Sequence, residues 1–265
     1  MGGLFSVALS CGSLRLAVNQ HLALGARTFL PSPRPATTGV RLSHSDGLTL
    51  CRSRVVRQLF QVRLNNRLQM SLQMKFAREQ LIFLLQLAYS GELAAVRAYL
   101  GHRSSLRSRR ERAEVAQIIR EELEHRQCLL KMLQGLGASA DPVRERKMNW
   151  VGKAIALFCR VGGWFFPMYG AARLEAQNIR EYELAARLAH SAGLISLVQP
   201  LLEMAEVEWD HELYFRSKAM QHWLWHIVPK WRVPSLRSEI QKAFKAFEKE
   251  GQWKVPQVRP RLLVR

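Results

Sequence analysis

The stretch Ile118-Ile119-Arg120-Glu121-Glu122-Leu123-Glu124-His125 decides the fold, because it contains a glutamate and a histidine three residues apart. Three residues is just under one turn of an α-helix, so the side chains of Glu122 and His125 leave the same face. The helical stripe through them reads Val115, Ile118, Glu122, His125, Leu129 and Met132. The two polar residues therefore take positions where a bundle helix is expected to be apolar. A lone Glu-x-x-His is commonly a solvated helix face, so a second observation is needed.

That observation is a second copy of the pair, Glu208-Trp209-Asp210-His211. Its stripe reads Leu201, Met204, Glu208, His211 and Phe215, so both polar residues again replace core residues. A single glutamate lies on a helical stripe upstream of each pair: Glu92 before the first and Glu175 before the second. The order Glu, Glu-x-x-His, Glu, Glu-x-x-His is the pattern of di-iron and di-manganese carboxylate bundles. The alternative is a bundle whose buried carboxylates are protonated or paired with arginine.

The spacing of the four glutamates predicts two matched helical hairpins. Glu122 follows Glu92 by 30 residues, and Glu208 follows Glu175 by 33 residues. With a rise of about 1.5 Å per residue, the glutamates of each antiparallel hairpin come to about the same level. Four carboxylates in a bundle interior need compensation, which two divalent cations supply. Carboxylate and imidazole ligands suit iron or manganese better than a metal that prefers thiolate.

Helical periodicity recurs from about Lys75 to Lys249, and strand signals are scarce, so the sequence predicts an all-α fold. We expect a four-helix bundle over residues 70–250. This range should also contain one additional helix and a short C-terminal helix, Ser235 to Lys249. Residues 251–265 are expected to form an unstructured tail. The four cysteines have no pairing or metal-like spacing, which is typical of free thiols in a reducing compartment.

The formal net charge of +19 is distributed unevenly along the chain. Five arginines cluster within residues 103–112, on the turn between the first two predicted bundle helices. Such a cluster could face nucleic acid or anionic lipid, but arginine-rich turns are usually solvated, and the chain contains no nucleic-acid-binding motif. We therefore expect no nucleic-acid partner.

Residues 1–69 differ in composition from the rest of the chain. They contain nine arginines, no lysine and one acidic residue, Asp46. A mitochondrial transit peptide has this kind of composition. The other interpretation, which we favour because about 70 residues is long for a presequence, is an overlong gene model in which Met70 or Met74 starts the protein. Under both interpretations we expect a disordered extension outside the fold.

The most apolar stretch is Trp150 to Tyr169, which Lys153, Arg160 and a pair of glycines interrupt. A membrane-spanning helix needs about 20 predominantly apolar residues, so this stretch is a poor candidate. Aromatic and basic residues beside apolar ones are typical of a helix that lies in the lipid interface. A buried connecting helix is the alternative, because it would bury the same face.

These motifs resemble the demethoxyubiquinone hydroxylase family of ferritin-like di-iron proteins. The resemblance covers roughly Gln80 to Phe215 and includes Tyr89-Ser90-Gly91-Glu92 and the motif Glu121-Glu122-Leu123-Glu124-His125. It implies a ferritin-like four-helix bundle and a centre of two iron ions, to which the donor types add manganese as the alternative metal and the composition of Trp150 to Tyr169 adds an interfacial helix. The ligands implied are Glu92, Glu122, His125, Glu175, Glu208 and His211.

Two further residues become candidate catalytic residues through the resemblance. Tyr182 lies seven residues after Glu175 on the same face, and the resemblance implies contact with substrate or a redox role. Tyr99 has the same spacing from Glu92, and core packing is the role expected for it. Glu181 stands where characterised members have a histidine that handles quinone and reductant. Its carboxylate could ligate iron or repel an anionic reductant.

The resemblance implies a monooxygenase that uses O2 to hydroxylate a lipid-soluble quinone precursor, with an electron donor that the sequence does not identify. The alternative is a non-oxygenase ferritin-like protein that handles iron or peroxide, or that holds a metal for structure alone. A substrate of this kind predicts peripheral membrane association. We expect a cytoplasmic protein on the inner face of the cell membrane, or alternatively one on the mitochondrial inner membrane.

Overall fold

Helices make up the regular structure of the chain in the computed structural model, which describes residues 46–251 and 253–258. Six α-helices lie in this part of the chain: α1 (Asp46–Ser105), α2 (Arg109–Gly135), α3 (Pro142–Val161), α4 (Phe165–Ser191), α5 (Val198–Met220) and α6 (Arg237–Glu250). Two short 3-10 helices, Ile195–Leu197 and Trp223–His226, precede and follow α5. No strand occurs among the described residues, so the predicted all-α class is confirmed.

Two apolar clusters form the interior of the bundle. The first cluster includes Leu81 and Leu85 of α1, Leu129 and Leu133 of α2, Leu188 of α4 and Leu201 of α5. The second cluster includes Ala95 and Tyr99 of α1, Val115 and Ile118 of α2, Met168 of α4 and Phe215 of α5. Each of the four long helices therefore contributes to both clusters, and this makes α1, α2, α4 and α5 the four helices of the bundle.

The order in which each helix meets the two clusters gives its direction. Helices α1 and α5 meet the first cluster and then the second, whereas α2 and α4 meet them in the opposite order. Helices α1 and α2 are therefore antiparallel, as are α4 and α5. Because α2 and α4 run in the same direction, the chain between them must cross back along the bundle, and α3 forms that connection. A bundle with one long crossover has the ferritin-like topology.

Side chains just before α2 and α3 explain where these two helices begin. The hydroxyl of Ser108 accepts a hydrogen bond from the Glu111 backbone N–H at 3.3 Å, at the start of α2. The carboxylate of Asp141 accepts from the backbone N–H groups of Val143 and Arg144 at 3.0 and 3.1 Å, at the start of α3. These contacts satisfy N–H groups that have no partner inside the helix.

The apolar stretch from Trp150 to Tyr169 is divided between two helices. Helix α3 ends at Val161, and α4 begins at Phe165. Gly163 between them has a φ of 77°, which a glycine adopts without strain. Phe165 and Met168 are buried in the second cluster, so the expectation of one interfacial helix over the whole stretch is wrong. Only the α3 part can present an exposed apolar face.

Helix α1 begins well before the predicted start of the bundle. Residues 46–69 are helical, which differs from the disordered extension that the sequence predicts. The chain has no proline between Pro35 and Pro142, and leucine, arginine and glutamine favour helix formation. Among the described residues, the compact unit that holds the bundle nevertheless starts at Met74, and residues 46–73 belong to a separate unit. Residues 1–45 of the predicted extension, residues 1–69, lie outside the described residues, and whether the extension is a transit peptide or a mis-assigned start stays a prediction.

The C-terminal part packs on the bundle. Ile240 and Phe244 of α6 are buried in the first cluster, as the apolar side of the predicted short helix requires. Val258 also packs there, and its backbone N–H donates to the Gln80 side chain at 2.5 Å. The described end of the predicted tail is therefore attached to the bundle through an apolar contact and a hydrogen bond.

Among the described residues, one window of α1, Arg63–Ser105, is long and apolar enough to cross a membrane by length and composition. Half of its most apolar 18-residue segment is buried, and the helical stretch includes Leu81 and Tyr99 of the two apolar clusters. A core helix of a bundle passes the same test, so this window carries no argument for a membrane span.

Candidate metal centre

A layer of acidic and histidine side chains lies between the two apolar clusters. Each bundle helix supplies it from the segment that separates its residues in the first cluster from those in the second. The members are Glu92 of α1, Glu122 and His125 of α2, Glu175 of α4, and Glu208 and His211 of α5. All six are buried, with at most 6% of the residue surface exposed. The structure therefore brings together every ligand that the sequence predicts.

These side chains form two overlapping groups, each of which could hold a metal ion. One group consists of Glu92, Glu122, His125 and Glu208, and the other of Glu122, Glu175, Glu208 and His211. Within each group, one potential ligand atom per residue lies within 4.8 Å of the others. Glu122 and Glu208 belong to both groups. Two metal ions would thus share these two carboxylates, and each would have one further glutamate and one histidine of its own.

Several polar atoms of the layer have no hydrogen-bond partner among the described residues. Both side-chain oxygens of Glu122 and of Glu208 are buried without one, and so is the Nδ1 atom of each histidine. His125 Nδ1 lies 3.0 Å from Glu208 Oε1, and His211 Nδ1 lies 3.4 Å from Glu122 Oε1, without hydrogen-bond alignment. Leaving so many buried polar atoms unpaired is costly. Metal ions that accept their lone pairs remove this cost, so the donor set fits a metal centre.

The charges of the four carboxylates depend on their burial and on one another. Burial, followed by the charges of Glu122 and Glu208, raises the pKa of Glu92 well above its ordinary value. Burial and the same two charges also raise the pKa of Glu175. Burial alone would raise the pKa of Glu122 and Glu208 as well, but contacts with neighbouring polar groups, the histidines among them, outweigh it and lower both. The shared carboxylates are thus the ones that stay ionised.

The two histidines respond to the shared carboxylates in the opposite way. Burial would lower the pKa of His125, but contacts with Glu122 and Glu208 outweigh it and raise the pKa to about 9. The pKa of His211 is also raised, because its contacts with Glu121, Glu122 and Glu208 outweigh burial. Without metal, the layer is therefore compensated by protons. Divalent cations compensate the same carboxylates and would release these protons when they bind.

Two tyrosines connect the halves of the bundle through the layer. The hydroxyl of Tyr99 on α1 donates a hydrogen bond to Glu175 on α4, and the hydroxyl of Tyr182 on α4 donates one to Glu92 on α1. The amide of Asn178 also donates to Glu175, at 2.7 Å. Each non-shared glutamate is therefore held by a tyrosine from the other half. Tyr99 lies in the core as predicted, but its bond to Glu175 was not predicted, although its seven-residue spacing matches that of Tyr182.

Glu181 lies outside both groups of potential ligands. It is 9% exposed and accepts a hydrogen bond from the Gln177 amide at 2.9 Å. Burial raises its pKa to about 8. Glu181 is thus a buried carboxyl group that is separate from the potential ligands. The predicted catalytic roles of Glu181 and Tyr182 stay predictions.

One contact next to the layer was not predicted from the sequence. Glu121 of α2 lies on the ligand motif itself, and its Oε2 atom is 2.8 Å from Nε2 of His211 on α5. The hydrogen bond to His211 lowers the pKa of Glu121. A glutamate beside a ligand glutamate is the only signal in the sequence, and it does not specify which histidine would be contacted.

Comparisons with family models, with curated proteins and with solved structures found no match for this chain. The geometry of the described residues by itself supports a buried cluster of carboxylates and histidines that could hold metal inside an all-α bundle.

Proposed function

We propose that this chain is a di-iron monooxygenase that hydroxylates a lipid-soluble quinone precursor. The observation that carries the proposal is the pair of overlapping ligand groups that share Glu122 and Glu208. Two carboxylates common to two sites are what a two-metal centre needs, because they hold both ions at a fixed separation.

Iron is the metal that the donor set favours, with manganese as the alternative. Both groups consist of carboxylates and imidazole, which suit iron and manganese, and neither includes a thiolate. One ion would take Glu92 and His125 as its own ligands, and the other would take Glu175 and His211. When bound in reduced form, an iron pair would supply the activation of O2 and the transfer of one oxygen atom to an apolar substrate, while two electrons from an external donor and two protons reduce the second oxygen atom to water.

The residues of the chain provide the conditions for that chemistry. Tyr182 and Tyr99 hold the non-shared glutamates in place from the opposite half. The first and second apolar clusters lie on either side of the layer, so they keep bulk water away from it. Tyr182 is also 5.8 Å from His125 between ring centroids, next to both a ligand glutamate and a ligand histidine. These positions support a role for Tyr182 beside the substrate.

Access from a membrane is supported by the exposed face of α3. Val143, Trp150, Leu157 and Val161 are spaced by seven, seven and four residues, which places them on one face, and each is 63–77% exposed. Lys153 lies over the Trp150 ring at 4.8 Å. Exposed apolar side chains beside basic ones are typical of a helix that lies in a lipid interface. A peripheral position would let a lipid-soluble substrate enter without passing through water.

Helix α3 is also attached firmly to α1 near the ligand layer. A Cβ atom added at Gly152 would lie 2.8 Å from backbone atoms of Ala94, two residues after Glu92. The Arg97 side chain donates to Asn149 at 3.2 Å. A membrane-facing helix this close to a ligand helix supports a short route for substrate from the lipid to the metal centre.

The quinone substrate rests on the family resemblance, so a complementation experiment tests it. The full chain is expressed in cells that lack their demethoxyubiquinone hydroxylase, and ubiquinone is measured. We expect restored ubiquinone, and we expect that Glu175→Ala abolishes it. Accumulation of the demethoxy precursor despite iron-loaded protein would contradict the quinone assignment and would favour iron or peroxide handling.

The membrane position is tested by sedimentation with liposomes that contain anionic lipid. We expect the full chain to bind them, and we expect the double variant Trp150→Glu with Leu157→Glu to lose most of this binding. Ile195→Glu is the matched control, since Ile195 is also exposed, at 58%, but lies outside α3. Equal binding by the wild type and the double variant would contradict the assignment of this face.

A further inference from the structure

We infer that Glu121 is a positioning residue that makes the two metal subsites unequal, with the Glu175 and His211 subsite binding metal more tightly. The inference rests on the proposed two-metal centre. It is carried by the geometry around His211, which presents Nδ1 to the shared carboxylates and Nε2 to Glu121.

The hydrogen bond to Glu121 fixes the ring of His211. With Nδ1 facing the ligand layer, Nε2 carries the proton and donates to Glu121 Oε2 at 2.8 Å. This bond joins α2 to α5, so it restrains the ring from a helix other than its own. A carboxylate partner sets the tautomer of a ligating histidine and increases the electron density on its metal-binding nitrogen.

Glu121 is itself held in position on its outer side. Its Oε1 atom accepts a hydrogen bond from the Gln117 amide at 2.7 Å, and Gln117 in turn accepts from Arg120. The Glu121 side chain is 29% exposed, so water still solvates its charge. A carboxylate that is ionised and restrained at both oxygens is suited to orient a histidine.

His125, the histidine of the other subsite, has no such partner. Its Nδ1 faces Glu208 and Glu122 at 3.0 and 3.8 Å. Among the described residues, no carboxylate contacts its Nε2 atom. The position equivalent to Glu121 in the second Glu-x-x-His motif, directly before Glu208, is Val207. An apolar side chain there cannot accept a hydrogen bond from His125. The two subsites therefore differ in this respect, although their ligand types are the same.

The expected consequence is a difference in metal affinity between the two subsites. Loss of a carboxylate that supports a ligating histidine typically weakens metal binding by about 10- to 100-fold. The first ion should therefore bind at Glu175 and His211, and the second at Glu92 and His125.

The experiment is a titration of the full chain, free of metal, with Co(II) under anaerobic conditions, followed by visible absorption. We expect two binding steps with affinities about 10- to 100-fold apart. His125→Ala should keep the tighter step, and His211→Ala should keep only the weaker one, which assigns each step to its subsite.

Variants at position 121 then test the inference itself. Glu121→Gln keeps a hydrogen-bond acceptor but removes the charge, and Glu121→Asp keeps the charge but shortens the side chain. Each should weaken the tighter step about 10-fold or more and leave the weaker step within about twofold. Glu124→Gln, an exposed glutamate on the same helix, is the matched control and should change neither step. Circular dichroism of each variant verifies that the bundle is intact.

Three outcomes would overturn the inference, and they distinguish its failure from that of the proposed metal centre. The inference would be wrong if both binding affinities were unchanged by Glu121→Gln and Glu121→Asp, or if His211→Ala kept the tighter step. Neither result would contradict the proposed metal centre. A wild-type chain that binds no Co(II) would overturn the proposed metal centre and this inference together.

Discussion

The two halves of the bundle, α1 with α2 and α4 with α5, agree closely where they face the metal layer and differ just beside it. Each half has a glutamate, a tyrosine seven residues later, and a Glu-x-x-His motif on its second helix. Beside these residues, Glu121 corresponds to Val207, and Glu181 corresponds to Ala98. The potential ligands therefore have the same arrangement in both halves, whereas the neighbouring groups that influence them are specific to one half.

The largest effects are expected from the carboxylates that the halves share. If two iron ions bind as proposed, Glu122→Ala or Glu208→Ala removes a ligand of both, so the iron content should fall from about two ions per chain to almost none. Glu92→Ala or Glu175→Ala removes a ligand of one ion only. About one ion per chain should therefore remain bound. Metal analysis after gel filtration measures the difference. Equal losses for shared and non-shared glutamates would contradict the sharing of Glu122 and Glu208.

The sequence was sufficient to identify all six potential ligands, because glutamate and histidine stood on stripes that were otherwise apolar. What the sequence could not give was the rotation of one helix against another. The contact of Glu121 with His211 and the bond of Tyr99 to Glu175 both cross between helices, so spacing along one helix does not specify them.

The divided apolar stretch was missed for a related reason. Trp164 and Phe165 are as apolar as Trp150 and Leu157, so composition alone treats them as one surface. Gly163 with its positive φ separates them, and Phe165 packs in the second cluster. Burial, which depends on the neighbouring helices, decides which of these residues can face lipid.

The next largest effect concerns Glu181, which only the second half contains. Burial raises its pKa to about 8 in the folded chain, against an ordinary value of 4.5. The folded state therefore retains a proton that the unfolded state has lost, and this group's contribution to stability is full below pH 4.5 and is lost as the pH rises to 8. Between pH 6 and pH 9 the loss should be about 2–3 kcal/mol.

Urea unfolding of metal-free protein at these two pH values measures the effect. Glu181→Ala, which gives the second half the residue that Ala98 provides in the first, should remove this part of the pH dependence. Glu181→Gln should do the same while retaining the volume of the side chain. Identical pH dependence in the wild type and both variants would show that Glu181 is already ionised in the folded chain.

Smaller effects are expected from the two tyrosines, and they should be unequal. Tyr182→Phe removes the hydrogen bond that Glu92 accepts from Tyr182, whereas Tyr99→Phe leaves Glu175 the hydrogen bond from the Asn178 amide. A buried acceptor that loses its hydrogen-bond partner costs about 1–3 kcal/mol, so Tyr182→Phe should reduce the free energy of unfolding by about that amount and Tyr99→Phe by less.

The tyrosine variants should also affect metal binding in a crossed pattern. Tyr182→Phe should weaken the subsite of Glu92 and His125, although Tyr182 belongs to the other half. Tyr169→Phe is the control, because the Tyr169 hydroxyl donates to the backbone carbonyl of Pro229 at 2.6 Å and does not contact a ligand. It should reduce stability and leave both metal affinities unchanged. A tyrosine variant that weakens the subsite of its own half would contradict the crossed contacts.

The central claim is that one chain holds two metal ions that share Glu122 and Glu208. An anomalous-difference map from crystals of the iron-loaded protein, recorded at the iron absorption edge, tests it most directly. The account predicts two peaks about 3.5–4 Å apart in the layer between the two apolar clusters, one beside Glu92 and His125 and the other beside Glu175 and His211. A single peak, two peaks that do not both contact Glu122 and Glu208, or no peak in this layer would contradict the claim.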